Sequence, residues 1–595
     1  MTDDSRVWKL PASAPSPADL CEAWSKVVAG SLDVLKSSAG RAANPAAAAP
    51  YDASAPLRAF TDFATHMWSN PAQLIEAQQS AAADWMRLWS ATSARFAGAE
   101  TEALIAPQRG DRRFSDPAWN DEPVFDYLKQ AYLLTAKRAQ ELVANAEGLD
   151  EGARTRAMFF TQQYLNALSP SNFAFTNPEA IRKAVETGSI SLLSGLANLL
   201  ADTASGGKTP VRRSSEDFEL GVTLAATPGG VVHQNALMQL IQYTPVTAEV
   251  YKRPILYVPP LVNKYYLLDL QPKSSLIRWL VEQGHTVFVV SWVNPGPELG
   301  GKDIADYVRQ GPVEALDAIA KATGEKSVDL FGFCMGGTLG ALAAAYLAAK
   351  GESGRIASVS MIGSLLDFAT LGEWSTFIEP SQVEAMEKHL DAQGVMSASE
   401  LQTLFSVVRA NDLIWSSVVN HYLLDREAPP SDILYWFADG AHIPAAFLKT
   451  YTRDLLRGNK LREPGGMTLG GAALDLGKIE APLFAISLKD DHVSAWQATY
   501  DGARLWGGKT RFLLGGSGHN AGVINPPSAN KHGYWNSETL PATADAWFDA
   551  AEKKDGSWWP EWQSWLSQAG KARKVKAREP RNPIEPAPGS YVMKR

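Results

Sequence analysis

Cys334 stands at the centre of Gly332-Phe333-Cys334-Met335-Gly336, the G-x-S-x-G spacing of a nucleophile elbow with a thiol where an esterase carries a hydroxyl. The run Ser327-Val328-Asp329-Leu330 leads into it and an Ala-rich stretch follows, which predicts a strand, a tight turn and a helix. A thiolate is a better nucleophile than a neutral hydroxyl at pH 7, and a thioester stays reactive enough to pass its acyl group onward. The chemistry expected is covalent acyl transfer more than simple hydrolysis. Two further groups follow β-rich runs, at the strand ends where parallel sheets carry their sites: Asp491 in Lys489-Asp490-Asp491-His492, and His519 in Gly516-Ser517-Gly518-His519-Asn520.

Nucleophile, acid, histidine is the chain order of the α/β-hydrolase triad, so Cys334, Asp491 and His519 are assigned as a set. His519 would take the thiol proton and return protons to leaving groups. Asp491 would either hold the imidazole or help activate an incoming hydroxyl, and the sequence leaves both open. The backbone N–H of Met335 is one expected oxyanion donor; a second should come from the loop Val258-Pro259-Pro260-Leu261-Val262-Asn263-Lys264, with Val262 the candidate. Lys264, Lys273 and Arg278 offer positive charge for a phosphate-bearing substrate, or are ordinary solvated cations. A lone cysteine among apolar residues is usually inert core, but the glycine frame argues against that here. Asp490, Asp491 and His492 could cap a helix; adjacent side chains do not converge on one ion without further ligands, so no metal is expected.

The elements that must position these groups are short β-rich runs at 255–258, 286–290, 328–331, 358–362, 483–487 and 511–514, separated by helical patterns. They predict an α/β fold with a largely parallel sheet covered on both faces. The expected organisation is an α/β-hydrolase domain over 211–595, with a cap insertion at about 365–478, preceded by a helical domain over 1–210. Within the latter, the segments beginning at Gln73 and Val124 show apolar groups at three- and four-residue spacing. Residues 39–56, rich in Ala and Pro, read as a connection, and 204–210 as a linker without phosphate-loop spacing.

Composition excludes other classes. At 595 residues the chain requires more than one core. With 56 Lys and Arg against 64 Asp and Glu, nothing draws it to nucleic acid. Cys21 and Cys334 cannot make a disulfide framework. No basic segment followed by an apolar run opens the sequence and no long apolar stretch follows, so a cytoplasmic protein without a transmembrane segment is expected. Of the 19 tryptophans, Trp558, Trp559, Trp562 and Trp565 cluster near the end; core packing is the ordinary expectation and a role at an apolar boundary the alternative.

Longer motifs carry a resemblance. Tyr257-Val258-Pro259-Pro260-Leu261-Val262-Asn263-Lys264-Tyr265-Tyr266, Gln283-Gly284-His285-Thr286-Val287-Phe288-Val289-Val290-Ser291-Trp292, the cysteine elbow and Gly518-His519-Asn520-Ala521-Gly522-Val523-Ile524-Asn525-Pro526-Pro527 resemble the class I polyhydroxyalkanoate synthases, as does Phe114-Ser115-Asp116-Pro117-Ala118-Trp119 upstream. The resemblance implies a polymerase that takes short-chain (R)-3-hydroxyacyl-CoA, such as 3-hydroxybutyryl-CoA, and releases CoA, with the growing chain on Cys334. His519 would then be the base, and Asp491 would assist the attacking 3-hydroxyl. It further implies no cofactor, a homodimer and attachment to the polyester granule surface. A thioesterase or depolymerase with the same triad, or a weakly active granule-bound relative, would share these motifs. The chain departs from the family pattern at Val293, where arginine is usual, at Ser416 and at Phe437.

Overall fold

The computed structural model describes residues 16–42, 50–205, 218–427, 429–569 and 573–595. The backbone separates into two units: Met1–Arg213 with Ser375–Phe377 and Thr403–Pro429, and Ser214–Trp374 with Ile378–Gln402 and Pro430–Arg595. The stretch expected as a cap is thus divided between the two. The linker expected at 204–210 lies, beyond Ser205, outside the described residues, as does much of the 39–56 connection.

The first unit is helical. The two amphipathic segments form Pro71–Phe96 and Pro123–Ala144, each opened by a proline whose missing N–H costs nothing in a first turn. Asp126 on the latter is buried against Lys129 at 2.9 Å, one turn along the same helix. Among the described residues no single helix is long and apolar enough to cross a membrane; Pro178–Glu186 and Ile190–Ala204, bent by 111°, pass the length and composition test only as a pair.

The second unit is built on a ten-stranded sheet. Its strands are β1 (Gly229–Gln234), β2 (Met238–Tyr243), β3 (Ile255–Val258), β4 (Val287–Trp292), β5 (Val328–Phe333), β6 (Ile356–Ile362), β7 (Leu483–Leu488), β8 (Thr510–Gly515), β9 (Tyr534–Asn536) and β10 (Glu552–Lys554). They lie in the order β1-β2-β4-β3-β5-β6-β7-β8-β9-β10. The central six, β4 to β8 in that order, are parallel and correspond to the runs read from the sequence. Antiparallel strands extend both edges. The sheet is buried on both faces: along β3, Leu256 and Val258 enter one apolar cluster while Ile255 and Tyr257 enter the other, as the two-residue period of a strand requires. The helix after β5, Met335–Ala349, is apolar almost all round and is correspondingly buried.

The C-terminal segment returns to the β1 edge. Lys574–Lys576 pairs with Glu249–Tyr251; Ile584 N–H donates to the Val231 carbonyl at 2.7 Å, Val231 N–H to Glu585 at 2.9 Å, and Ala587 N–H to Gly229 at 3.0 Å. Beneath it the fully buried Gln239 finds its partners in Glu585 and Ser590.

Candidate active site

Cys334 ends β5 with φ 54° and ψ −130°, in the left-handed half of backbone space that a residue with a Cβ enters only at a cost of about 1–3 kcal/mol. The surroundings hold it there. Its N–H donates to the Ile362 carbonyl of β6 at 2.8 Å, and its own carbonyl accepts from Gly337 N–H at 3.0 Å. The flanking glycines answer to space: a Cβ on Gly332 would lie 2.5 Å from the Gly337 backbone, and one on Gly336 would lie 2.1 Å from the Val258 carbonyl. The elbow therefore packs backbone against backbone with the loop that follows β3.

His519 follows β8. Its Nδ1 is 2.6 Å from Asp491 Oδ2, its ring centroid lies 4.8 Å from that of Phe333, and the Cys334 sulfur acts on its charge. Burial works against the charged imidazole, but the Asp491 carboxylate and the Cys334 sulfur outweigh it and lift His519 from 6.5 to about 10. Both Asp491 oxygens are engaged: Oδ1 accepts the N–H groups of Val493 and Ser494, each at 2.8 Å. Ser494 Oγ in turn donates to the Gly363 carbonyl at 2.9 Å, and Gly363 itself, at φ 53°, leaves only 3.2 Å between where a Cβ would be and the His519 ring. The structure thus hydrogen-bonds His519 to Asp491 and sets the Cys334 sulfur near enough to act on the charge of the imidazole, although the sequence scatters the three over 334–519.

Met335, the first residue of the helix, follows the thiol directly, and Val262 lies in the loop against which the elbow packs. Of the cations offered for a phosphate, Lys264 is committed elsewhere: it is buried, and its Nζ meets Asp439 Oδ1 at 2.7 Å. Burial pushes its ammonium below the usual lysine value, with Asp439 opposing. Arg278 pairs with Glu282 at 2.9 Å. Val293 is buried, and its N–H donates to Leu237; Phe437 packs partly buried in the second cluster, and Ser416 belongs to the helical unit. Among the described residues no group of three or more His, Cys, Asp or Glu side chains could share a metal ion.

Of the tryptophan cluster three members are core and Trp565 packs partly buried against Phe484; the buried ones do something the sequence does not disclose. Trp558, Trp559 and Trp562 are fully buried. The first two donate their indole N–H to the carbonyls of Gly522 and Val523 at 2.9 and 3.0 Å, which anchors the loop carrying His519. The third donates to Ser360 Oγ on β6 at 2.9 Å. The doublet Trp558-Trp559 is visible in the sequence; its partners, 36 residues back in each case, are not.

Comparison with known proteins agrees with this architecture. Residues 110–280 match the model of the poly-beta-hydroxybutyrate polymerase (PhaC) N-terminus, and residues 263–526 that of the alpha/beta hydrolase fold. The chain is 41% identical to the poly(3-hydroxyalkanoate) polymerase of Methylorubrum extorquens, over 84% of this chain and 83% of the relative. It is 39% identical to the poly(3-hydroxyalkanoate) polymerase subunit PhaC of Rhizobium meliloti, over 89% and 87%, and 40% identical to that of Cupriavidus necator, over 88% of each. With an α/β-hydrolase core behind a helical region of the matching kind, the chain belongs to the poly(3-hydroxyalkanoate) polymerase family, enzymes of acyl transfer.

Proposed function

We propose that the protein polymerises short-chain (R)-3-hydroxyacyl-CoA, such as 3-hydroxybutyryl-CoA, through an acyl thioester on Cys334. The observation that carries this is the set Cys334, His519, Asp491, in which the imidazole is hydrogen-bonded to the carboxylate and its charge is favoured by both the carboxylate and the cysteine sulfur. His519, raised to about 10, holds the proton given up by the thiol while sulfur attacks the thioester carbonyl of the substrate. The C–S bond to CoA breaks, and CoA leaves as the thiol with the proton returned by His519. A 3-hydroxyl then attacks the Cys334 thioester, His519 receives its proton, and an ester bond forms as the cysteine is released. The net exchange is one thioester and one alcohol for one ester and free CoA, with no oxidant or reductant.

Asp491 acts in this scheme by holding and charging the imidazole. Its two oxygens are already filled by His519 and two backbone N–H groups, which favours that role over direct attack on the substrate hydroxyl. The Met335 and Val262 amides would receive the carbonyl oxygen as it becomes an oxyanion. The resemblance supports a homodimer working in the cytoplasm at the surface of its polymer granule.

Purified protein supplied with (R)-3-hydroxybutyryl-CoA is expected to release CoA and form polymer, and Cys334→Ala to do neither. Free hydroxy acid as the sole product would replace this reading with a thioesterase. Asp491→Asn, which frees the imidazole to adopt the wrong tautomer, is expected to lower kcat by about 10³ to 10⁴, measured as CoA release at saturating substrate.

A further inference from the structure

The loop after β3 is gripped at both ends. At its start, the Trp292 indole N–H donates to the Pro259 carbonyl at 3.0 Å, and the Gly336 backbone leaves no room for movement toward the elbow. At its far end it meets a short segment of the insertion, residues 436–441. The Trp436 indole donates to the Lys264 carbonyl at 2.8 Å, and Ala441 N–H donates to the Val262 carbonyl at 3.0 Å. Asn263 and Gly440 form an antiparallel bridge. Between these contacts, one carboxylate gathers two side chains of the loop: Asp439 Oδ1 accepts from Lys264 Nζ at 2.7 Å, and Oδ2 from the Tyr266 hydroxyl at 2.9 Å.

Three facts give this carboxylate a functional meaning. Pro259 and Pro260 have no N–H, so the amides this loop can offer to an oxyanion begin at Leu261 and Val262. Those two residues lie between the elbow contact and the Lys264 anchor. The Lys264 ammonium and Asp439 carboxylate side chains are 5% and 10% exposed, so removing the acid strands a buried cation, which must draw the loop outward to find water. An oxyanion donor displaced by about 1 Å loses most of its effect on the transition state while substrate binding elsewhere is preserved.

We propose that Asp439 is a positioning residue for acyl transfer: through Lys264 and Tyr266 it fixes the Leu261 and Val262 amides against the cysteine elbow. This rests on the proposed role of Cys334 as acyl carrier and assigns the insertion a part in the chemistry beyond covering it.

The test compares wild type with Asp439→Ala and Asp439→Asn in the full chain. Three readouts are taken: kcat and KM for CoA release, hydrogen exchange of the peptide spanning residues 261–266, and the rate of Cys334 alkylation by iodoacetamide. Asp439→Ala is expected to lower kcat about tenfold or more with KM changed less than about threefold, and to raise exchange over 261–266, while alkylation stays within about twofold because the thiol and its imidazole are untouched. Asp439→Asn, which keeps acceptor and size, is expected to recover part of kcat and to fold if the alanine variant does not. Unchanged exchange over 261–266 in both variants overturns the proposal, as does a loss that falls on KM alone. Absence of CoA release by wild type would instead overturn the polymerase reading; the exchange and alkylation readouts would still decide whether Asp439 holds the loop.

Discussion

Two loops meet at Cys334; both are held by indole N–H groups, and only one of them by an ion pair as well. The loop of His519 is fastened by indole N–H groups from a helix start that is wholly buried, each tryptophan contributing one hydrogen bond and a large apolar surface. The loop of Val262 has indole donors too, Trp292 and Trp436, and adds to them a desolvated ion pair. An apolar anchor of the first kind stabilises whether or not its hydrogen bond is perfect. An ion pair of the second kind loses about as much in dehydration as it regains in attraction, so its value lies in fixing geometry. Rigidity of the base is thus bound up with stability, whereas the part of the second loop's rigidity that comes from the ion pair is separable from it.

The largest expected effect tests that separation. Asp439→Ala or Lys264→Met alone should destabilise the protein by about 3–5 kcal/mol, because each strands a buried charge; together, as Lys264→Met with Asp439→Leu, they should leave stability within about 1–2 kcal/mol of wild type, read from urea unfolding, yet not restore kcat. Recovery of kcat by the double variant would show that packing alone holds the loop. A smaller effect is expected from Trp558→Phe, which keeps an aromatic ring in the core but removes the indole N–H and its bond to Gly522. The loss should be about 1–2 kcal/mol, with kcat falling in proportion to the mobility of His519. A mutant that loses stability at unchanged kcat would place the rigidity of His519 in Asp491 alone.

The smallest effect is one of pH. Because folding raises His519 from 6.5 to about 10, its interaction with Asp491 contributes stability that is complete below about pH 6.5 and is lost as pH rises through about 10. The difference in Tm between wild type and His519→Gln should therefore narrow between pH 7 and pH 10. A constant difference would mean that His519 stays neutral throughout.

What the sequence discloses here follows the range of the interactions. The elbow is legible because its glycines and thiol lie within a few residues, and the six central strands because strands buried on both faces are continuous apolar runs. The order Cys334, Asp491, His519 is legible because the fold fixes it. The antiparallel strand β2 escapes notice because Gln239 and Gln242 break its apolar run, and the distant tail supplies much of what satisfies their buried amides: Gln242 Nε2 donates to the Arg578 carbonyl at 2.8 Å. Lys264 reads as a surface cation because its partner lies 175 residues away. Asp439 shows no signal beyond following Trp436 by three positions, roughly one helical turn.

The tail that pairs with β1 has a consequence of its own. The outer edge of a sheet is a row of unspent N–H and C=O groups, a template onto which another chain can add a strand. Residues 584–587 occupy that template, and the buried amide of Gln239 depends on the same segment. Were the protein to gather at a polymer surface, as proposed, its local concentration would be high enough for an open edge to invite self-association. By spending its own chain on that edge, the molecule leaves those β1 groups unavailable to a strand from another copy.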